Sequence, residues 1–171
     1  MSTTTSEPLV REHYASGQTG SMQLVSFKLG NEVYGIEITK IREIILVGEI
    51  TQVPETPHYI KGLINLRSSV IPVICLRSRF SLPEGELNED ARIMVLNVGT
   101  RTIGIVVDSV NEVLRVSHDQ VSPAPPTVAS QGNDYMTGLV RLDDQLLILL
   151  DVDQLFGNEE RAAIDRVVTG V

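Results

Sequence analysis

The sequence contains few side chains of the kinds that carry out catalysis or bind metals. Its three histidines, His13, His58 and His118, lie far apart, and Cys75 is the single cysteine. No signature of a metalloprotease, a serine hydrolase or a nucleotide-binding loop occurs. One cysteine allows neither an intrachain disulfide nor a cysteine-rich metal site. We therefore expect no catalytic residues, no cofactor and no metal ligands, and hence no enzyme.

The densest carboxylate group is Asp143, Asp144, Asp151 and Asp153. Such residues can bind a hard cation or act as an acid–base pair. Asp143 and Asp144 lie between two apolar stretches, however, where Asp is a common turn residue. Turn formation explains the pair without any chemistry, so we favour it over an enzyme built on this cluster. Cys75 is interpreted as a small buried apolar residue.

Glu43 and Arg67 are the charged residues of most interest, because each stands in an otherwise apolar segment, IREII and INLRS. In the simpler interpretation Glu43 is solvated and Arg67 belongs to a hairpin turn, since exposed charges rarely need a function. The alternative is a charge pair at the rim of an apolar docking groove, where it would set specificity. The two residues alone favour the simpler interpretation.

A repeated hairpin must position these residues. Residues 59–80 have the pattern of two apolar strands joined by a turn at Arg67-Ser68-Ser69, and the pattern recurs 76 positions later at 135–156. The strands before it recur with an offset of 69 positions, so that Gly35 matches Gly104. The increase of the offset from 69 to 76 positions predicts a seven-residue insertion at 128–134 in the second copy. The duplication predicts two related β units.

Abundant β-branched residues with regular Gly and Pro punctuation predict an all-β fold. Each copy has four or five short strands, the content of a small barrel, and two such units should share an interface. Residues 39–47 favour one or two helical turns over an irregular strand. We expect a disordered tail at 1–21, a first copy at about 22–80, a linker at 81–90, a second copy at about 91–157, and a short helix or tail at 158–171 with Asn158 as N-cap. Strand exchange between the copies stays open.

The formal net charge of −8, from 22 acidic and 14 basic residues, opposes binding to nucleic acid or to anionic lipid. Residues 1–21 lack the basic and apolar regions of a signal peptide. No apolar stretch is long enough to span a bilayer. We therefore expect a cytoplasmic protein without direct membrane insertion.

Four segments resemble the CheW family of bacterial chemotaxis adaptors. They are FKLGNEVYGIEITKIREI, PHYIKGLINLRSSVIPVICLR, NVGTRTIGIVVDSVNEVLRV and YMTGLVRLDDQLLILLDVDQL, and the resemblance covers about residues 22–157. It implies two SH3-like β-barrel subdomains around a shared groove, with short helical segments at the subdomain junction and the C-terminus. It also implies a non-enzymatic scaffold that couples chemoreceptors, the methyl-accepting chemotaxis proteins, to the histidine kinase CheA.

The resemblance implies three partners. The cytoplasmic hairpin tip of a receptor would dock in the groove, the regulatory domain of CheA would pack barrel to barrel, and further CheW copies would join array rings. The protein would be recruited to receptor arrays at the inner face of the membrane. The closest alternative is an adaptor of a non-flagellar array that controls pilus motility or gene expression. A β-barrel that binds a small ligand or nucleic acid is the alternative from another class.

The resemblance also implies the partner-binding residues, position by position. The family's KxxEI segment corresponds to residues 40–44 and its KGxxNLRG segment to 61–68, while valines of the second copy line the other side of the groove. Ser68 replaces a family Gly, which predicts strain if φ is positive there. Cys75 replaces a family Asp that Asp151 retains in the second copy. The predicted partner-binding residues are Ile41, Glu43, Ile44, Gly62, Leu66, Arg67, Ser68, Val110 and Val113.

Overall fold

The computed structural model describes residues 20–83, 85–124 and 135–169. Nearly all of the predicted tail and the whole predicted insertion at 128–134 lie outside the described residues. The strands are β1 Ser21–Leu29, β2 Glu32–Glu37, β3 Ile41–Leu46, β4 Ile60–Leu66, β5 Ser69–Cys75, β6 Arg92–Val98, β7 Arg101–Val107, β8 Ser109–Ser117, β9 Val121–Pro123, β10 Met136–Arg141 and β11 Leu146–Leu150. The helices are α1 Leu76–Arg79, α2 Val152–Leu155 and α3 Asn158–Thr169, and 3-10 turns occupy Ile38–Lys40 and His118–Gln120.

The strands form two sheets that exchange hairpins between the copies. The first sheet has the order β8-β1-β2-β11-β10-β9 and the second the order β3-β6-β7-β5-β4. The β1–β2 hairpin of the first copy thus lies among strands of the second copy, and the β6–β7 hairpin of the second copy lies among strands of the first. The structure confirms the predicted all-β fold with two related subdomains, and it answers the open question of strand exchange.

The exchanged hairpins join their new sheets through parallel strand pairs of the same register. Val73 of β5 lies beside Gly104 of β7, and Leu149 of β11 lies beside Gly35 of β2. These are matching positions of the two copies, since 73 and 149 differ by 76 and 35 and 104 differ by 69. The two sheets are therefore related by approximate twofold symmetry, as the duplication predicts.

The core is divided into three clusters, which explains why the central strands are apolar on both faces. One cluster belongs to each sheet alone: Leu24, Val33, Val116, Val140, Leu147 and Leu149 in the first, and Ile64, Ile71, Val73, Ile93, Val95 and Val106 in the second. The third and largest cluster lies between the sheets and includes Phe27, Tyr34, Ile74, Leu96, Ile105 and Phe156. The centre of the space between the sheets is therefore a packed core.

Residues 39–47 do not form the favoured helical turns. After the 3-10 turn, residues 41–46 form β3, which pairs with β6, and the register shifts between Ile41 and Glu43 so that Arg42 is an additional residue in the strand. As consecutive residues of a strand, Ile44 and Ile45 point to opposite faces, Ile44 exposed and Ile45 packed on the core of the second sheet. The helical interpretation was wrong because this bulge disturbs the two-residue alternation.

The C-terminal helix α3 closes one side of the shared core. Ala163, Ile164 and Val167 are buried there. The helix begins at Asn158, and the backbone N–H of Arg161 donates to the Gly157 carbonyl at 2.9 Å. Gly157 is therefore the N-cap, and the prediction of Asn158 at this position was wrong. No helix among the described residues is long and apolar enough to cross a membrane.

Candidate partner-binding surface

The turn between β4 and β5 holds two of the predicted site residues in a strained conformation. Leu66 pairs with Ser69, so Arg67 and Ser68 form a two-residue loop with φ of 52° and 72°. Positive φ at both positions is the requirement of a type I′ turn, whose twist matches that of a hairpin. Residues with a Cβ are disfavoured there. The strain expected at Ser68 is therefore present, and Arg67 shares it.

Arg67 and Glu43 form a bidentate ion pair. The Nη2 group of Arg67 donates to Oε1 of Glu43 at 2.8 Å, and Nη1 donates to Oε2. The hydrogen bond from Arg67 lowers the pKa of the Glu43 carboxyl below its usual value, and Glu43 in turn raises the pKa of Arg67. The Arg67 side chain is 69% exposed, against 22% for Glu43. Most of the Arg67 side chain is thus accessible to a partner.

This ion pair connects the two terminal strands of the second sheet. Glu43 lies on β3, and Arg67 follows β4. The strands are not hydrogen-bonded to each other, so the side chains join the ends of the curved sheet. The structure brings together the two charges that the docking interpretation paired. Their part in binding remains a prediction.

Gly62 and Leu66 lie on β4 and have structural contacts. A Cβ atom at Gly62 would lie 2.2 Å from the backbone oxygen of Thr51, and φ is 153°. The close approach allows Thr51 and Leu63 to exchange two backbone hydrogen bonds of 2.8 Å. Leu66 is half-buried on the core of the second sheet. These contacts position the hairpin, and they leave the predicted binding role of both residues untested.

The four remaining apolar site residues are divided between two terminal strands. Ile41 and Ile44 lie on β3 in the second sheet, and Val110 and Val113 lie on β8 in the first. Ile41 and Val110 are half-buried against the shared core, whereas Ile44 is 40% and Val113 42% exposed. The pairs occupy matching positions of the repeat, 69 residues apart. Of these four residues, each sheet thus exposes one on a terminal strand, Ile44 in the second sheet and Val113 in the first.

Sequence reasoning missed two exposed apolar side chains near the ion pair. Leu46 on β3 is 69% exposed and Val70 on β5 is 42% exposed. Val70 borders a depression of about 210 Å³ between β5, β7 and α3, to which Arg42 and Ile164 also contribute. Apolar residues in strands are expected to be buried, so the sequence offered no reason to expect these two to be exposed. The one available signal was the spacing of two residues between Ile44 and Leu46, which places both on the same face of β3.

The residues considered for other chemistry have structural explanations. Cys75 is buried, as interpreted. Asp143 and Asp144 lie in the connection between β10 and β11, and Asp151 caps α2 by accepting the backbone N–H groups of Asp153 and Gln154. His58 Nε2 lies 3.2 Å from the Ser78 carbonyl oxygen. In the part of the chain that the structure describes, no three potential ligands are grouped to hold a metal.

A double β-barrel with exposed apolar residues on terminal strands has the features of a protein-interaction module, because such edges and patches can dock other chains. The chain belongs to the CheW-like domain family, whose family model matches residues 23–160.

Several proteins are similar to this chain. It is 40% identical over 152 residues to the chemotaxis protein CheW of Klebsiella aerogenes, covering 89% of this chain and 92% of the relative. It is 38% identical over 142 residues to the chemotaxis protein CheW of Treponema pallidum, covering 81% and 84%. The crystal structure of the scaffolding protein TtCheW from Thermoanaerobacter tengcongensis matches with a TM-score of 0.75 and 33% identity, covering 82% of this chain and 96% of that one.

Proposed function

We propose that this protein is a non-enzymatic chemotaxis scaffold that couples chemoreceptors to the histidine kinase CheA. Family membership and the names of the relatives support the scaffold role. The observation that carries the docking role is the accessible pair of Arg67 with Glu43 on β3, the terminal strand that also exposes Ile44 and Leu46 on its other face. The protein acts in the cytoplasm, recruited to arrays at the inner face of the membrane, and it joins further copies there.

The receptor partner is the cytoplasmic tip of a helical hairpin. An amphipathic helix buries its apolar face in a groove, and charges at the rim fix its orientation. Ile44 and Leu46 supply exposed apolar surface on one face of β3, and Arg67 supplies a positive charge at the other face, where it pairs with Glu43. Arg67 contributes most to the free energy of binding if a receptor carboxylate approaches the exposed edge of its guanidinium. Guanidinium groups bind carboxylates in a planar geometry with two hydrogen bonds.

The kinase partner is the regulatory domain of CheA, packed barrel to barrel. The terminal strands β3, β4, β8 and β9 end their sheets among the described residues. Terminal strands present backbone groups and side chains to a second sheet, so they suit this type of contact. The proposal assigns no individual kinase-contact residue.

The test is co-sedimentation of the protein with CheA and receptor-containing membranes, with kinase activity measured in the same samples. We expect a ternary complex and raised kinase activity. Binding to the kinase without the receptor would favour the adaptor of a different array. Binding to neither would overturn the proposal.

Two charge variants at the ion pair sharpen this test. Arg67→Glu places two carboxylates together, so we expect receptor co-sedimentation to fall about tenfold or more while the protein stays folded. The control Arg67→Glu/Glu43→Arg restores an ion pair of reversed polarity. We expect it to recover the thermal midpoint but not receptor binding, because the partner then meets a carboxylate at position 67. Unchanged receptor binding by folded Arg67→Glu would contradict the assigned role of this residue.

A further inference from the structure

Two ion pairs connect the copies at the points where the chain crosses from one sheet to the other. Arg77 of α1 donates from Nε to Oδ1 of Asp108 at 2.9 Å, and a second bond joins Nη2 to Oδ2. Lys40 donates from Nζ to Oδ2 of Asp153 at 2.8 Å. Asp108 connects β7 with β8, and Lys40 ends the turn between β2 and β3. These two pairs are called the clasps below.

The clasps are partly shielded from solvent and have further contacts. Asp108 also accepts the backbone N–H of Gly30 at 2.8 Å, and Asp153 lies 3.8 Å from Nη2 of Arg161. The side chains of Arg77 and Asp108 are 25% and 22% exposed, and those of Lys40 and Asp153 are 38% and 40% exposed. Charges in such positions are screened less than those in open solvent.

The clasps occupy equivalent places in the twofold arrangement. Where Val73 lies beside Gly104, Arg77 and Asp108 each follow four residues later. Where Leu149 lies beside Gly35, Asp153 follows four residues later and Lys40 five residues later. Arg77 and Asp153 match across the repeat. The shared register therefore allows either copy's hairpin to pair with either sheet at the level of the backbone.

The polarity of the clasps, by contrast, differs between the copies. The first copy contributes both cations, Lys40 and Arg77, and the second contributes both anions, Asp108 and Asp153. If each copy kept its own hairpin, β5 would pair with β2 and β11 with β7 in the same register. Arg77 would then face Lys40, and Asp153 would face Asp108, so that like charges would meet at both crossing points.

We propose that the opposite charges of the two copies bias this chain toward exchanging hairpins, because the unexchanged arrangement is repulsive at both clasps. The exchanged arrangement is attractive at both. The segments where the chain crosses between the sheets act as hinges, and identical elements are exchanged about such hinges. Like charges at these segments would destabilise the arrangement in which each copy keeps its own hairpin. The proposal concerns the pairing of the copies and is independent of the receptor and kinase roles.

Two variants of equal net charge measure the penalty. Lys40→Asp/Asp108→Arg, the mismatched variant, produces in the observed fold the like-charge contacts that the natural sequence would meet without exchange. Arg77→Asp/Asp108→Arg, the matched variant, keeps both clasps attractive. Both lose the acceptor for the Gly30 N–H, so this loss cancels in the comparison. The measurements are thermal unfolding midpoint and monomer recovery after refolding from denaturant, in low salt and in 1 M NaCl.

We expect the mismatched variant to melt at least about 5 °C below the matched variant in low salt, corresponding to a penalty of about 1–2 kcal/mol in a chain of this size. Monomer recovery should fall in parallel. The difference should shrink in 1 M NaCl, where the screening length is about 3 Å. If the mismatched variant folds only in 1 M NaCl, the proposal is supported. Midpoints within about 2 °C in a mismatched variant that keeps nuclear Overhauser contacts between β5 and β7, an undiminished difference in salt, or failure of both variants to fold would each overturn it. Replacement of those contacts by contacts between β5 and β2 would support it, because without exchange this variant has opposite charges at both clasps.

Discussion

Arg67 has two structural roles that conflict locally. It adopts a left-handed φ of 52°, which costs conformational energy, and its guanidinium forms the ion pair with Glu43. Ser68 also has a left-handed φ, of 72°, but its side chain forms no ion pair that could offset the conformational cost. Strained backbone is concentrated at functional sites, and this strained turn lies two residues before exposed Val70.

Ser68→Gly should stabilise the protein by about 0.5–1 kcal/mol, because Gly adopts positive φ without steric cost. The free energy of unfolding from urea denaturation checks this expectation. Ser69→Gly is the matched control. Ser69 begins β5 and has no positive φ, so Gly there should destabilise by a similar amount. A less stable Ser68→Gly variant would mean that the serine hydroxyl compensates for the strain.

At the scale of the elements, one glycine in each copy allows the hairpin to pair closely with the segment that precedes it in the sequence. Gly62 faces the backbone oxygen of Thr51, and its repeat equivalent Gly138 lies where a Cβ would approach Val121 Cγ1 to 2.6 Å and Ser122 O to 3.0 Å. In each sheet the hairpin's outer strand thus gains a further antiparallel contact, at Thr51 or at β9. A side chain would separate these strands.

Gly62→Ala should therefore cost about 2 kcal/mol or more, because the obstructing atom is backbone and φ also opposes a Cβ. Gly48→Ala is the control, since no atom lies within 4 Å of a Cβ at Gly48, and it should change stability by less than about 0.5 kcal/mol. Thermal unfolding of both variants tests the contrast. If Gly62→Ala kept its stability but lost receptor binding, Gly62 would be a contact residue instead of a structural one.

The elements also show where sequence reasoning succeeds. The offset of 69 positions predicted that the strands before the 59–80 hairpin have counterparts in the second copy, and β1–β2 and β6–β7 are these counterparts. Reasoning from local periodicity failed at β3, because one additional residue at Arg42 gave the isoleucines a helical spacing. A bulge depends on the partner strand, so local periodicity does not report it.

At the scale of the whole molecule, the exchange of hairpins could not be predicted from residue patterns. Gly35 and Gly104 present the same register to either partner strand, so apolar pattern and glycine spacing fit both arrangements. What distinguishes the two arrangements is the sign of the charges at positions 40, 77, 108 and 153. These residues are far apart in the sequence, so their pairing is visible only when the order of the strands in the sheets is known. Likewise, the exposure of Leu46 is tied to the position of β3 at the end of the second sheet.

Because each sheet contains strands from both copies, the two halves of the chain should stay associated when the peptide connection between them is cut. A protease site introduced at residues 85–90, where no regular element is present, should yield two fragments that migrate separately on a denaturing gel. In native buffer the cleaved protein should still elute as one species of unchanged size, because separation would expose the core between the sheets. Elution of two smaller species would show that each half stands alone.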